Sequence, residues 1–348
     1  MLYPSPLFII RAFNTGNRSH MAKRRLTVQQ QRRIAQKQQN AATSASETRE
    51  TGADRLSGLV VTRFGKQADV QPLDSTSQDA IQRCHIRANI NDVVTGDRVI
   101  WRNDENGAVI ESVLPRDSEL CRPDPRGKLR PVAANVDRIA IVIAPEPRPH
   151  SNLIDRYLVA AEAQGIRAML ILNKADLELN GELEELLRPY ETLGYELYRV
   201  SARTGDGMDS LLACLAEHTT VLVGQSGVGK SSLVNKLLPS ANAKTGELSE
   251  QMAKGRHTTT AATLYPLSAG GFLIDSPGIR EFGLWHMDAE TVATGFIEFR
   301  PYLGHCRFRD CNHLNQAGCA IMAEVDAKTI SAERYLSYRQ IVSDLSID

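Results

Sequence analysis

Long apolar runs are absent from this sequence of 348 residues. A membrane-spanning helix needs roughly 20 predominantly apolar residues, and no stretch approaches that length. The apolar run at 7–10 is also too short for the core of a secretory signal. These absences favour a cytoplasmic protein without a membrane partner. Cysteine is scarce too, because six cysteines in a chain of this size are too few for a disulfide scaffold.

Acidic residues are absent from residues 1–46, although the whole chain has 41 Lys+Arg and 41 Asp+Glu. Large apolar residues are few between 21 and 54, so this stretch cannot bury enough surface to offset the entropy of ordering it. We expect residues 1–54 to form a mobile basic arm that binds polyanions. Met21 is a plausible translation start, so residues 1–20 are not used to predict the fold. The basic residues of the acid-free stretch 1–46 are Arg11, Arg18, Lys23, Arg24, Arg25, Arg32, Arg33 and Lys37.

Short alternating apolar runs follow in residues 55–118, with Gly and Asp at the breaks. Five such runs predict five short strands, the number in an OB-fold barrel. The segment is also basic, which suits an RNA-binding barrel, whereas an ordinary solvated barrel surface is the alternative. Its basic residues include Arg63, Lys66, Arg83, Arg87, Arg98 and Arg102.

A Pro-rich stretch at 121–131 predicts a linker, and the pattern changes beyond it. Buried parallel strands joined by crossover helices would produce the alternation that follows, so we predict an α/β doubly wound sheet at 119–283. Residues 284–348 are helical in pattern and carry Cys and His, which predicts a small C-terminal domain. The apolar runs lie at 137–144, 167–173, 196–202, 219–224 and 270–278.

The stretch GQSGVGKS at 224–231 matches the phosphate-loop pattern and lies between a predicted strand and a predicted helix. Its glycines let backbone N–H groups close around phosphates. Lys230 would neutralise the outer phosphates, and Ser231 would ligate magnesium. The residues expected to contact the nucleotide here are Gly224, Gln225, Ser226, Gly227, Val228, Gly229, Lys230, Ser231 and Ser232.

The motif NKAD predicts which base is bound. Asp176 can accept hydrogen bonds from the ring N–H and the exocyclic amine of guanine together, a pair that adenine does not offer. A second motif, SAR at 201–203, can add a backbone contact to the guanine carbonyl. Together these motifs favour GTP over ATP. The residues assigned to the base are Asn173, Lys174, Ala175, Asp176, Ser201 and Ala202.

Two further motifs point to the terminal phosphate and its magnesium ion. DSPG at 275–278 would bring Asp275 near magnesium and Gly278 within reach of the phosphate. The loop GRHTTT at 255–260 offers a threonine hydroxyl that can close onto magnesium when the third phosphate is present. Thr259 is the first choice for that ligand, with Thr258 next to it.

A metal site is predicted near the C-terminus. Cys306, Cys311, His313 and Cys319 lie close enough in sequence to wrap one tetrahedral ion, for which zinc is the expected metal. Four protein ligands leave no open position, so the site would be structural. Unligated cysteines are the alternative, and His305 is an alternative ligand.

The base-reading motifs NKAD and SAR precede the phosphate loop here, whereas the phosphate loop comes first in ordinary small GTPases. With NKAD, GQSGVGKSS, GRHTTT, DSPG and the cysteine cluster, the chain resembles the ribosome small-subunit-dependent GTPase A (RsgA) family over about residues 55–325. The resemblance implies a circularly permuted P-loop GTPase domain, preceded by an OB-fold barrel and followed by a small zinc-binding helical domain. It also implies a bacterial factor in late maturation of the small (30S) ribosomal subunit, which binds 16S rRNA and is stimulated by the subunit.

The residue after DSPG is Ile279, which cannot orient water as the glutamine of many GTPases does. The family resemblance passes this role to His257, because an imidazole can position water or transfer a proton. A histidine that merely packs the switch loop is the alternative. The expected catalytic residues are thus His257, Lys230 and Thr259.

Two other functions remain open. One is a nucleotide-gated RNA-binding module with incidental hydrolysis, and the other is a permuted GTPase that serves a different ribonucleoprotein. We expect a monomer that uses Mg²⁺ with GTP and holds one structural Zn²⁺.

Overall fold

The computed structural model describes residues 55–74, 80–90, 92–105, 107–124, 128–178, 181–238, 262–275 and 287–345. The basic arm, His257, the threonines of GRHTTT, Gly278 and Ile279 lie outside these residues.

A closed five-stranded barrel forms the N-terminal part of the described chain, as predicted. Strand β1 pairs with β2, β2 with β3, β3 with β5 and β5 with β4, and β4 pairs back onto β1. All these pairings are antiparallel except β3 with β5. Alternate side chains fill the interior, among them Val60, Val70 and Trp101. The strands are β1 (Arg55–Phe64), β2 (Gln67–Pro72), β3 (Gln82–Ile86), β4 (Arg98–Asp104) and β5 (Gly107–Val113).

The Pro-rich stretch is not the linker that its composition predicted. It forms an antiparallel hairpin of β6 (Glu119–Pro123) and β7 (Leu129–Ala134). Leu120 pairs with Ala133, and both are fully buried, so burial of an apolar face explains why the segment is ordered. A two-stranded ribbon consists of edge strands, where proline is tolerated.

An α/β sheet follows, with strand order β10-β9-β8-β11-β13-β12. Its first five strands are parallel, as predicted, and β12 is antiparallel to β13. Strand β12 has four residues and escaped the sequence analysis. It also meets the barrel, because Thr263 pairs with Thr62 of β1. The strands are β8 (Arg138–Ile143), β9 (Arg167–Leu172), β10 (Leu197–Arg199), β11 (Thr219–Val223), β12 (Thr263–Pro266) and β13 (Phe272–Asp275).

Four helices within the described residues accompany this sheet: α1 (Ser151–Ala163), α2 (Gly181–Thr192), α3 (Met208–Leu215) and α4 (Lys230–Leu237). The sequence predicted crossover helices between the buried strands, and α1 and α3 are two of them. Helix α2 was missed, and it contains Pro189, a residue that normally ends helices.

The C-terminal part is helical, as predicted. It contains α5 (Ala289–Gly295), a 3₁₀ helix (Ile297–Tyr302), α6 (Ala320–Asp326) and α7 (Ala332–Leu345). The two faces of β8 show how the C-terminal part is attached to the sheet. Ile139 and Ile141 share one core with α1 and with Phe296 and Tyr338 of the C-terminal part, whereas Val142 belongs to a second core on the opposite face.

A buried ionic cluster also joins these two parts. Arg334 of α7 forms ion pairs with Asp155 of α1 and with Glu298 of the 3₁₀ helix. Arg334 is 2% exposed and its guanidinium lies over the rings of Phe296 and Tyr190. Burial holds the pKa of Asp155 above its ordinary value, although the nearby guanidinium acts in the opposite direction.

Candidate guanine-nucleotide site and cysteine–histidine cluster

The phosphate loop connects β11 to α4 at the carboxyl edge of the sheet. Gly224 and Gly229 have φ angles of 137° and 93°, which side-chain-bearing residues rarely adopt. A Cβ atom at Gly224 would lie 2.2 Å from the carbonyl oxygen of Val142, and one at Gly229 would lie 2.3 Å from Nδ2 of Asn173. The close approach of neighbouring loops therefore requires glycine at both positions.

Lys230 is the first residue of α4. Its Nζ atom donates hydrogen bonds to the carbonyl oxygens of Gly224 and Gln225, both at 2.6 Å. This places a positive charge across the loop, beside backbone N–H groups at a helix N-terminus. Such an arrangement attracts anions, and phosphate groups above all.

Asn173 connects the phosphate loop to the SAR motif. Its Nδ2 atom donates to the carbonyl oxygen of Val228 at 2.9 Å, and its Oδ1 atom accepts from the backbone N–H of Ala202 at 3.1 Å. The side chain is buried, and its own backbone N–H donates to Ile143 at the end of β8. The structure thus brings together three sequence motifs through a single amide.

Asp176 lies at the rim of the same site. Its carboxylate accepts hydrogen bonds from the hydroxyl of Ser201 and from Arg203, whose Nε and terminal nitrogen lie 2.9 and 2.6 Å from Oδ2. These donors, the Ser201 hydroxyl first, hold the pKa of Asp176 below its ordinary value. The carboxylate is therefore ionised at neutral pH, as a pure acceptor for a base must be.

A cavity of about 210 Å³ opens between these loops. Asn173, Lys174 and Asp176 of the NKAD motif all line it. Leu177 and Arg203 also line the cavity, although neither was predicted from the sequence to contact the nucleotide. Arg203 was visible as the third letter of SAR, whereas Leu177 carried no motif signal. The lining residues are Asn173, Lys174, Asp176, Leu177, Ala202, Arg203, Gly229 and Ser232.

The residues expected around magnesium are described only in part. Ser231 follows Lys230 in the first turn of α4, and its side chain is exposed. Asp275 is the last residue of β13 and is exposed at that edge. Strands β11 and β13 are parallel neighbours, so their carboxyl ends reach the same edge of the sheet. Thr259, His257 and Gly278 lie outside the described residues.

Helix α1 contacts the phosphate loop from the side. A backbone hydrogen bond joins Gly224 to the hydroxyl of Tyr157, whose pKa is raised by burial. Asp155, two residues earlier in α1, belongs to the buried cluster with Arg334. The same helix therefore contacts both the phosphate loop and the C-terminal helical part.

The four residues predicted to bind a metal converge in the C-terminal part. Their ligand atoms all lie within 4.8 Å of one another. Nδ1 of His313 is 3.4 Å from Sγ of Cys306 and 3.5 Å from Sγ of Cys319, and those two sulfur atoms are 4.0 Å apart. Cys311 completes the group. His305 is not part of it.

Two tyrosines of α7 hold the loop that carries this cluster. The hydroxyl of Tyr335 donates to the carbonyl oxygen of His313 at 2.9 Å, and that of Tyr338 donates to Asn312 at 2.8 Å. Burial lowers the pKa of His313, which keeps its imidazole neutral and able to act as a ligand. The backbone N–H of Ala320 also points to the sulfur of Cys306, at 3.3 Å.

No helix within the described parts of the chain has both the length and the apolar character needed to cross a membrane.

A phosphate loop and an NKAD loop at one edge of an α/β sheet define a GTPase domain, and NKAD precedes the phosphate loop, so the domain is circularly permuted. The family model for the RsgA GTPase matches residues 113–285. A protein of Azotobacter vinelandii named small ribosomal subunit biogenesis GTPase RsgA is 53% identical over 338 residues, which cover 93% of this chain and 98% of the relative. The protein of that name from Pseudomonas aeruginosa strain LESB58 is 52% identical with the same coverage. The chain belongs to the RsgA GTPase family.

Solved structures show the same architecture. The crystal structure of YjeQ from Thermotoga maritima superposes with a TM-score of 0.69 at 29% identity, and the match covers 84% of this chain and 99% of that chain. YloQ, described as a circularly permuted GTPase, gives a TM-score of 0.66 at 25% identity, with coverage of 84% and 96%. These matches confirm the permuted GTPase fold that the motif order predicted.

Proposed function

We propose that this GTPase acts in late maturation of the small (30S) ribosomal subunit and that the subunit stimulates its GTP hydrolysis. One observation carries the nucleotide part of the proposal: the cavity beside the phosphate loop is lined by Asp176, whose carboxylate is ionised, and by Asn173, which links the NKAD motif to the phosphate loop. Relatives at 52–53% identity, named small ribosomal subunit biogenesis GTPases, support the ribosomal part.

The nucleotide would lie across the carboxyl edge of the sheet. Asp176 would accept from the two N–H donors of guanine, with Lys174 and Ala175 beside the base and the backbone of Ala202 at its carbonyl. Ser201 orients the Asp176 carboxylate. The phosphates would occupy the loop from Gly224 to Ser232. In the proposal Lys230 exchanges its bonds to loop carbonyls for bonds to phosphate oxygens, which are stronger because both partners are charged.

Magnesium would be held by the Ser231 hydroxyl and by Thr259, with Asp275 nearby and Gly278 against the terminal phosphate. Hydroxyl, carboxylate and phosphate oxygens are the ligands that Mg²⁺ prefers. The exposed positions of Ser231 and Asp275 at the carboxyl edge of neighbouring strands support this arrangement. The ion would neutralise charge that develops on the phosphates during hydrolysis.

Hydrolysis requires a group that orients the attacking water. We assign this role to His257, because Ile279 follows the DSPG motif and offers no polar atom. Lys230 would stabilise charge on the transferred phosphoryl group, and Thr259 would close the site through magnesium.

We propose that Cys306, Cys311, His313 and Cys319 hold one structural zinc ion. Tetrahedral zinc with thiolate and imidazole ligands requires ligand atoms about 3.5 to 3.8 Å apart. The distances of 3.4, 3.5 and 4.0 Å among three of these ligand atoms fit that requirement. The ion would keep the loop in the shape on which Tyr335 and Tyr338 pack, rather than take part in hydrolysis.

Binding to 16S rRNA would involve the barrel and the basic arm. We propose an arm at 1–54, an OB-fold barrel at 55–118, the GTPase domain at 119–283 and the zinc domain at 284–348. A cytoplasmic location and action as a monomer belong to the same proposal, which rests on the ribosomal partner.

The test is GTP turnover by the full chain with purified small ribosomal subunits, and with large subunits and ATP as controls. We expect turnover to rise with small subunits alone and to be specific for GTP. Unchanged turnover together with GTP-dependent binding to the subunit would reject the hydrolase proposal in favour of the nucleotide-gated RNA-binding module. No binding to small subunits would favour a different ribonucleoprotein partner.

A further inference from the structure

Three arginines of the barrel converge on a single glutamate. Arg55 Nε lies 3.1 Å from Oε2 of Glu111, a terminal nitrogen of Arg87 lies 2.8 Å from Oε1, and Arg102 Nε lies 3.0 Å from Oε1. The Glu111 side chain is 12% exposed, whereas the arginine side chains are 55%, 42% and 32% exposed. We call these four residues the Glu111 cluster.

Barrel closure creates the Glu111 cluster on the outer surface. Arg55 of β1 and Arg102 of β4 are direct cross-strand partners. Glu111 belongs to β5, which pairs with β4 on one side and β3 on the other, and Arg87 follows the last residue of β3. Four chain segments therefore contribute charges to one face.

The cluster has a net charge of +2, since three guanidinium groups share one carboxylate. Two other arginines of the barrel have their own acidic partners, and Arg63 donates to the backbone carbonyl oxygens of Gly65 and Val93. Arg83 pairs with Asp69 through two nitrogens, and Arg98 pairs with Asp117. Within the described part of the barrel, the Glu111 cluster is thus a place where excess positive charge is held in a fixed arrangement.

We propose that the Glu111 cluster is an RNA-binding surface that takes the backbone phosphates of a folded RNA segment. This inference rests on the proposed function, because the RNA belongs to the small subunit. A guanidinium group presents five N–H donors, so each arginine keeps donors for phosphate oxygens while one side of it contacts Glu111. Glu111 fixes the guanidinium positions in advance, which reduces the side-chain entropy lost on binding.

The Glu111 cluster is better suited to binding RNA phosphates than to binding RNA bases. Single-stranded RNA is read by aromatic side chains on which bases stack. The large exposed apolar side chains of the described residues include no aromatic residue in the barrel, and Trp101 beside Arg102 is 3% exposed. A surface of arginines without stacking partners recognises the regular backbone of a helix and not its sequence.

Salt dependence of binding tests the proposal. The double variant R87Q/R102Q removes two charges and leaves Arg55 to pair with Glu111. The binding of the full chain to purified small subunits and to a generic RNA duplex is measured between 50 and 200 mM salt. Each lost phosphate contact lowers the slope of log K against log salt by about 0.7 to 0.9. We expect the slope to fall by about 1.4 to 1.8 on both probes.

The variant R83Q is the matched control, because Arg83 lies on the same barrel but shares its charge with Asp69 alone. We expect its slope to change by less than half as much, and equal loss in both variants would reject the cluster as a distinct site. Thermal unfolding shows whether each variant is folded. If R87Q/R102Q unfolds early, the single variant R55Q, whose exposed side chain contributes less to folding, replaces it with an expected change of about 0.7 to 0.9.

The two probes separate the possible outcomes. An unchanged slope on both, with the variant folded, overturns the proposal. A loss on small subunits with unchanged duplex binding also overturns it, since the cluster would then contact an acidic protein surface. If the wild-type chain binds duplex RNA but no small subunit, the proposed function fails, while the duplex data still decide the role of the cluster.

Discussion

The side chain of Asn173 donates a hydrogen bond from Nδ2 to the carbonyl oxygen of Val228, at 2.9 Å. Asn173 directly follows the last residue of β9 and opens the base-reading motif, whereas Val228 lies in the phosphate loop. This hydrogen bond holds the base-binding cavity next to the phosphate loop. The order in which the two motifs occur along the chain is irrelevant to it, which explains how a permuted chain keeps the same site.

Replacement of Asn173 by alanine is expected to lower the free energy of unfolding. The substitution leaves the Val228 carbonyl and the Ala202 N–H without this partner, and unpaired buried polar groups cost about 1–3 kcal/mol each. Chemical denaturation measures the loss. Asn103→Ala is the control, because Asn103 is exposed at the end of β4. Equal midpoints for the two variants would show that the amide is not a structural link.

Asp176→Asn is expected to change base preference rather than abolish binding. Hydrogen bonds to a charged group contribute about 1.5–3 kcal/mol, so losing the carboxylate should weaken GTP binding on the order of 100-fold. Xanthine has a carbonyl where guanine has its exocyclic amine, and an asparagine amide can donate to it. Titration with GTP and with xanthosine triphosphate tests the exchange. Unaltered GTP affinity would contradict the assignment of the base pocket.

His257→Ala is expected to leave GTP affinity nearly unchanged and to lower subunit-stimulated turnover by about 100-fold or more, the usual contribution of a group that handles a proton. The reason is that the imidazole would act on water in the closed site rather than on the bound nucleotide. Single-turnover hydrolysis on small subunits gives the rate, and nucleotide titration gives the affinity. Full turnover in the variant would reject a catalytic role for this histidine.

One equivalent of zinc per chain is expected in protein purified without chelator, as measured by elemental mass spectrometry. Cys311→Ser should lower the zinc content and destabilise the C-terminal helical part, because metal binding by such sites contributes directly to folding. Cys121→Ser is the control, since Cys121 lies in β6 outside the cluster. Zinc content that is the same in all three proteins would contradict the assigned ligands.

Arg334→Met is expected to destabilise the protein by about 3–5 kcal/mol, because Asp155 and Glu298 lose their buried partner. Arg156→Met is a matched control. Arg156 also links α1 to α7, through Asp344, but this pair is partly exposed and should contribute less than about 1 kcal/mol. Comparable losses in the two variants, measured by denaturant unfolding, would show that burial does not set the strength of the Arg334 cluster.

Much of the fold followed from the sequence where local pattern and final burial agree. The five barrel strands, the parallel strands and helices α1, α3 and α7 all have regular apolar spacing. The hairpin β6–β7 was taken for a linker because its prolines hide the burial of Leu120 and Ala133. Strand β12 is too short for its pattern to be recognised, and Pro189 obscured helix α2.

The sequence by itself determined the chemistry of the motifs: glycines that admit a phosphate, a carboxylate suited to guanine, and cysteines spaced for a metal. These are local properties, set by residue types a few positions apart. Only the tertiary structure decided which distant groups meet. Arg55, Arg87 and Arg102 reach Glu111 because the barrel closes β1 onto β4, and Arg334 reaches Asp155 because α7 packs on α1. Such contacts depend on the packing of whole elements, which no short stretch of sequence encodes.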